Sequence, residues 1–137
     1  GNLEAVREAL MDCMWDDVGI LRDAAGLTRA AERLAELEAR LDATGVDGGD
    51  RAFNLTWHDW LNLKNLLTVS RVITAAAIAR EDSRGAHFRE DFPQTGDLAT
   101  SDFTVATLEG GAVRIAREPV RFTRVAPGQT LLKTETA

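Results

Sequence analysis

Residues 80–93 hold the densest set of charged and reactive side chains in the chain: Arg80, Glu81, Asp82, Ser83, Arg84, His87, Arg89, Glu90 and Asp91. A serine four residues before a histidine suggests a nucleophile and its base. A triad, however, is defined by geometry and a third orienting group, and spacing supplies neither. A plainer chemistry accounts for the same residues. Charged groups close helix ends, Gly85 offers the left-handed conformation that stops a helix, and Pro93 prevents its resumption. Arginines in such a segment pair with carboxylates, often bidentately. Arg80, Arg84, His87 and Arg89 are therefore the expected interdomain contacts, and no residue is assigned a catalytic, cofactor-binding or metal-binding role.

The remaining candidates reduce to structure. His58 lies between Trp57 and Trp60 as a packing residue, and two isolated histidines do not make a metal site. Trp15, Trp57 and Trp60 can stack a flavin or a base, but at helical spacing they are expected to fill a core. Cys13 is the single cysteine, so no internal disulfide forms, and a reducing compartment is the simplest inference. Gly110 and Gly111 lack any phosphate-loop context and read as a turn.

Three helices must position these groups. Leu3, Val6, Leu10, Cys13 or Met14, Val18 and Leu21 recur on one helical face, which predicts a first helix over residues 3–21. Asp23 caps the second helix, where Leu27, Ala30, Leu34, Leu37 and Leu41 alternate in steps of three and four. Arg29, Glu32, Arg33, Glu36 and Arg40 form its charged outer face, with Glu36 and Arg40 spaced as an i,i+4 pair. Glycines and turn formers across residues 44–50 reverse the chain. A third helix is predicted from a Thr56 cap to about Glu81; its apolar girth implies burial on more than one side, and its small residues 74–79 admit a close backbone. Beyond Pro93 the β-prone runs 103–108 and 112–116 predict a hairpin, with a third extended piece over residues 120–125. A lone hairpin is marginal in water and must lean on something.

With 137 residues, the chain fits one ordinary domain with a tail: a bundle over residues 1–93 and an extended tail over 94–137. A net charge of -6 argues against nucleic acid as a partner, because phosphate contacts need clustered Lys and Arg. No apolar run approaches the roughly 18 residues that span a bilayer. The Gly1-Asn2-Leu3 start has no initiator Met and no signal-like region, and reads as the edge of a longer chain.

Taken together, Met14-Trp-Asp-Asp-Val-Gly-Ile-Leu-Arg22, the long Leu- and Ala-rich helix from Asn54 through Ala79, and the Arg80-to-Pro93 segment are similar to a known family. Over residues 3–93 the chain resembles the C-terminal helical domain of the succinate dehydrogenase and fumarate reductase flavoprotein subunits, and of L-aspartate oxidase. The resemblance implies a mainly α fold, an antiparallel, up-and-down, spectrin-repeat-like bundle of three helices with a C-terminal β-hairpin tail. It implies a parent with FAD, whose flavin-binding and capping domains are this domain's partners, with an iron–sulfur subunit as a further one. The catalytic machinery and the FAD site lie elsewhere in such a parent, so FAD is not expected on this fragment. The implied location is cytoplasmic, peripheral on the inner face of a membrane through partner subunits. The helix end at residues 14–22 resembles L-aspartate oxidase, whereas Ala86 before His87 and the run from Gly110 to Val120 resemble the dehydrogenase and reductase branch. From the residues alone, a free-standing helical interaction module stays open as an alternative.

Overall fold

The computed structural model describes residues 2–46 and 52–132. Three helices, α1 (Leu3–Asp17), α2 (Ala24–Thr44) and α3 (Leu55–Ala79), precede an antiparallel hairpin of two strands. A two-residue strand β1 (Leu21–Arg22) follows α1 and pairs in parallel with β2 (Phe88–Arg89). The predicted reversal at residues 44–50 lies in part outside the described residues, as does the end of the tail beyond residue 132.

Each helix begins where a side chain can satisfy its free N–H groups. Asn2 accepts from Ala5 N, Asp23 from Gly26 N at 2.7 Å, and Asn54 from Trp57 N. The expected Thr56 cap is thus corrected to Asn54, whose amide oxygen accepts from the N–H three residues on. The first helix also stops earlier than Leu21. Asp16 and Asp17 crowd its negative end, and a side chain at Gly19 would stand 2.7 Å from the Trp15 carbonyl. The chain turns there and enters β1 instead.

The core is built around α2. Leu27, Ala30, Leu34, Leu37 and Leu41 are fully buried and meet Val6, Leu10 and Cys13 of α1 and Leu63, Leu67 and Ala77 of α3. Polar bonds set the pairings. Asp17 accepts from Arg29 at 2.6 Å, Glu38 from Arg71 at 2.6 Å, and Asp42 from Lys64 at 2.5 Å. Trp60 packs against the core and donates its indole N–H to the Leu41 carbonyl, closing the end of α2. On the outer face Glu36 pairs with Arg33 at 3.1 Å rather than with Arg40. Cys13 is buried beneath α2, and burial, reinforced by the Asp17 carboxylate, raises its pKa, so it stays a thiol.

One expectation about apolar residues fails. Trp15 is 83% exposed and fills no core. The third helix is covered on more than one side, by α1 and α2 and by the hairpin, as its apolar girth implies, while Leu66, Val69 and Ile73 stay exposed along it.

The hairpin runs from β3 (Asp102–Glu109) to β4 (Ala112–Pro119), the first strand longer than the predicted run by one residue at each end and the second by three at its C-terminal end. Gly110 and Gly111 take φ values of +57° and +81°, the positive pair that a two-residue turn matched to strand twist requires. The strands lie along α3 where Ala75 and Ala76 keep the helix slim, with Val113 near Ile78 and Phe103 near Ile73. Residues 120–125 form no strand: after Val120 donates to the Ser101 carbonyl, no third strand pairs with the hairpin among the described residues.

Candidate docking site at the end of the third helix

The helix α3 ends at Ala79, with Arg80 already extended. Its last carbonyls need donors, and Arg89 supplies them. One guanidinium nitrogen, Nη1, donates to the carbonyls of Ala77 at 2.9 Å, Ile78 at 3.2 Å and Arg80 at 3.3 Å. Nε and Nη2 hold both oxygens of Asp91 at 2.7 and 2.8 Å. Asp91 in turn accepts from Ala24 N, in the first turn of α2, at 3.1 Å. A cation therefore sits at one helix's negative end and a carboxylate at another's positive end, joined by a bidentate pair. The Arg89 guanidinium, with the backbone N–H groups behind it, holds the Asp91 carboxyl down at about 2. Arg89 is 3% exposed at its side chain and its donors are spent inside the chain.

Ser83 is a clasp. It is buried, accepts from Arg89 N at 2.9 Å and donates to the Phe92 carbonyl at 2.8 Å, while its own N–H meets the Gln94 carbonyl. His87 faces other partners: Arg22 Nη1 donates to Nδ1 at 2.9 Å, so Nε2 carries the proton and donates to the Arg80 carbonyl at 3.1 Å. With both ring nitrogens engaged, His87 is no base for Ser83, and the geometry holds no nucleophile–base pair there. Gly85 does not stop a helix. It takes φ of +56° within a two-residue turn, where Arg84 N donates to the His87 carbonyl and His87 N returns the bond.

Arg80 and Arg84 share Asp82, at 2.7 and 3.2 Å. Arg84 also reaches the Thr95 carbonyl and the Ser101 hydroxyl, tying the segment before the hairpin to this turn. Arg80, Arg84, His87 and Arg89 are thus gathered at one end of α3, but in different states: Arg89 is enclosed, while the other three are partly open.

Arg22 was missed as a member of this cluster because it was read as part of a helix. It donates Nε to the Gly19 carbonyl at 2.6 Å and, among the described residues, has no carboxylate within ion-pair distance; burial lowers its pKa. Asp91 was missed too, and its signal is visible only once the α2 start is placed beside it.

Burial, with Arg22 and Arg80 nearby, lowers the His87 pKa from its ordinary 6.5, against smaller opposing effects of the Arg80 carbonyl and Asp82. Its neutral form is the folded form, so its stabilising contribution is held above pH 6.5 and lost as pH falls through the lowered value. In urea titrations the unfolding midpoint is expected to fall between pH 8 and pH 5 more steeply than in His87→Gln, whose amide does not titrate. Equal slopes for the two proteins would show that His87 is not the titrating group.

The start of α2 does not fit a flavin's pyrophosphate. A dinucleotide pyrophosphate needs an uncluttered helix N-terminus behind a glycine-rich turn. The helix that follows β1 has Asp23 and Asp91 on its first turn, and these carboxylates repel phosphate. Among the described residues, no group of three or more His, Cys, Asp or Glu can hold a metal ion, and no helix is long and apolar enough to cross a membrane.

Fold and site define a helical module with a C-terminal hairpin, whose charged helix end is knit by its own residues. Comparison with known proteins places that module. A family profile described as "Fumarate reductase flavoprotein C-term" matches residues 7–132, and the chain belongs to this family. It is 34% identical over 125 residues to the fumarate reductase flavoprotein subunit of Mycobacterium tuberculosis, covering 90% of this chain and 21% of that protein. It is 34% identical over 88 residues to chloroplastic L-aspartate oxidase of Arabidopsis thaliana, covering 64% of this chain and 13% of the other. A solved E. coli quinol fumarate reductase superposes with a TM-score of 0.85 at 26% identity, over 94% of this chain and 23% of that one. The chain therefore spans about a fifth of the length of its fumarate reductase relatives.

Proposed function

We propose that this chain is the C-terminal helical domain of an FAD-dependent oxidoreductase that interconverts a C4 dicarboxylate pair of the succinate and fumarate type, and that it buttresses the flavin-binding part. The observation that carries this reading is the family match over residues 7–132. FAD, bound by the parent, accepts or delivers the hydride; the residues of this chain position and stabilise. The pairings of Asp17 with Arg29 and of Asp42 with Lys64 support an antiparallel, up-and-down arrangement of the spectrin-repeat type. Arg80, Arg84 and His87 present the partly open end that faces the neighbouring domains, and Arg89 holds that end in shape. The partners on this reading are the parent's flavin-binding and capping domains and an iron–sulfur subunit, through which the protein associates peripherally with a membrane.

Arg84→Ala in the full-length enzyme tests the role. It releases the 95–101 segment and leaves Asp82 to Arg80 alone, and the expected result is reduced flavin content and a Tm lower by several degrees, since about 1 kcal/mol moves Tm by roughly 2–4 °C in larger domains. Wild-type flavin content, Tm and turnover together would refute the buttress.

A second reading, the same domain in L-aspartate oxidase, is favoured by the helix end at residues 14–22 and by the Arabidopsis relative. The longer match to fumarate reductase, which takes in nearly the whole chain, favours the dicarboxylate branch. Turnover of succinate or fumarate against turnover of L-aspartate by the purified parent decides between them.

A further inference from the structure

Near the end of α3 one guanidinium stands without a counter-ion. Arg22, in β1, donates Nε to the carbonyls of Gly19 at 2.6 Å and Val18 at 3.3 Å, and Nη1 to His87 Nδ1 at 2.9 Å. Those bonds fix the plane of the group but engage only part of it. One hydrogen of Nη1 and both of Nη2 have no partner among the described residues. His87 accepts as a neutral ring, so it orients Arg22 without cancelling its charge. The neighbouring cations each have a carboxylate: Arg80 and Arg84 share Asp82, and Arg89 holds Asp91. Arg22 is half-buried, and a cation partly withdrawn from water with no anion beside it is an unfavourable arrangement that a bound anion relieves.

The surroundings of Arg22 decide which anion. Arg22, Arg80 and His87 line a notch between α3 and the hairpin together with Ile73, Ala76 and Phe103. Ile73 precedes Arg80 by about two helical turns, roughly 10 Å along the axis, so the notch runs from a cationic end to an apolar one. Asp102 also lines it, but this carboxylate pairs with Arg117 at 3.4 Å and is not within ion-pair distance of Arg22. Beside Phe103 it disfavours a second negative charge on a ligand, and a bare inorganic anion would leave the apolar wall unused. We propose that this notch binds a short-chain monocarboxylate, its head held by the open edge of the Arg22 guanidinium and its hydrocarbon body laid along Ile73, Ala76 and Phe103. A planar guanidinium already held in place by backbone carbonyls suits a carboxylate head, which it meets with two parallel donors. The site is independent of the flavoprotein reading, because every group in it belongs to this chain.

Saturation-transfer NMR on the full-length polypeptide tests this, with butyrate as the probe and a urea titration of each variant as the check on folding. Butyrate is expected to receive saturation most strongly at its methyl group. Arg22→Gln should weaken binding about ten-fold or more, since a charge-assisted pair is replaced by a neutral one; only the signal lost in this variant is assigned to the notch. Phe103→Ala, at a residue 57% exposed and outside the core, should weaken binding about three-fold and remove the methyl enhancement. Inorganic phosphate at equal concentration should leave the signal in place. No butyrate signal in the wild type, or an equal one in a folded Arg22→Gln, would overturn the site. Displacement by equal phosphate would overturn the assignment to a carboxylate with an apolar body. If Arg22→Gln does not fold, Phe103→Ala decides, and wild-type binding with the methyl enhancement intact would overturn the proposal.

Discussion

Replacing Arg89 with alanine is expected to cost on the order of 2–3 kcal/mol, chiefly because carbonyls at a buried helix end are left without a donor. The substitution deletes donors to three carbonyls at the end of α3 and both contacts to Asp91. Asp91 would keep its bond from Ala24 N but lose the cation that neutralises it. Arg89→Lys restores little, because one ammonium cannot span the carbonyl ring and both carboxylate oxygens at once. Equilibrium denaturation of the two variants measures this, and a loss under about 1 kcal/mol for Arg89→Ala would mean that the clamp is not structural. The pair also writes an acid signature. The Asp91 carboxyl lies near 2 in the fold against an ordinary 3.8, so its contribution is held above pH 3.8 and is lost as pH falls toward 2. Arg89→Ala should abolish that limb.

Leu34→Ala is expected to destabilise by about 2–5 kcal/mol, the cost of lost transfer energy plus the cavity left behind. Leu34 is wholly buried at the middle of α2, the helix that both others pack against. Leu66→Ala on the open stripe is the matched control. It removes the same atoms from a site 41% exposed in this chain, and in the chain alone should cost well under half as much. Urea midpoints for the two variants compare them directly; similar losses would contradict the central place of α2.

Much of the helical frame was legible because burial imposes its period on the sequence. Leu27, Ala30, Leu34, Leu37 and Leu41 trace the seam of α2, and all are buried. The Asp23 cap and the paired glycines 110 and 111 were equally readable, since each solves a local backbone problem with local residues. What escaped is what depends on distant chain. The end of α1 looked like more helix, because Val18 and Leu21 keep the apolar period, but Arg22 bonds to His87 and Leu21 pairs with Phe88. Trp15 looked like core for the same reason: periodicity reports an apolar side without saying what covers it. At the candidate site the residue types were right and their bonds were hidden. Arg80, Arg84, His87 and Arg89 do gather at one end of α3, yet each is held by a partner, Asp82, Ser101, Arg22 or Asp91, that spacing alone could not pair with it.

The two-residue parallel sheet has a kinetic meaning. Leu21 and Arg22 find Phe88 and Arg89 only after the intervening two helices have brought the segments together, so the entropy of closing that long loop must be met by contacts already made. The helices can assemble from near neighbours, whereas this clasp completes late and is the natural first place to open. Amides of Phe88 and Glu90, which donate to Ile20 and Arg22, should then exchange their hydrogens sooner than those in the middle of α2.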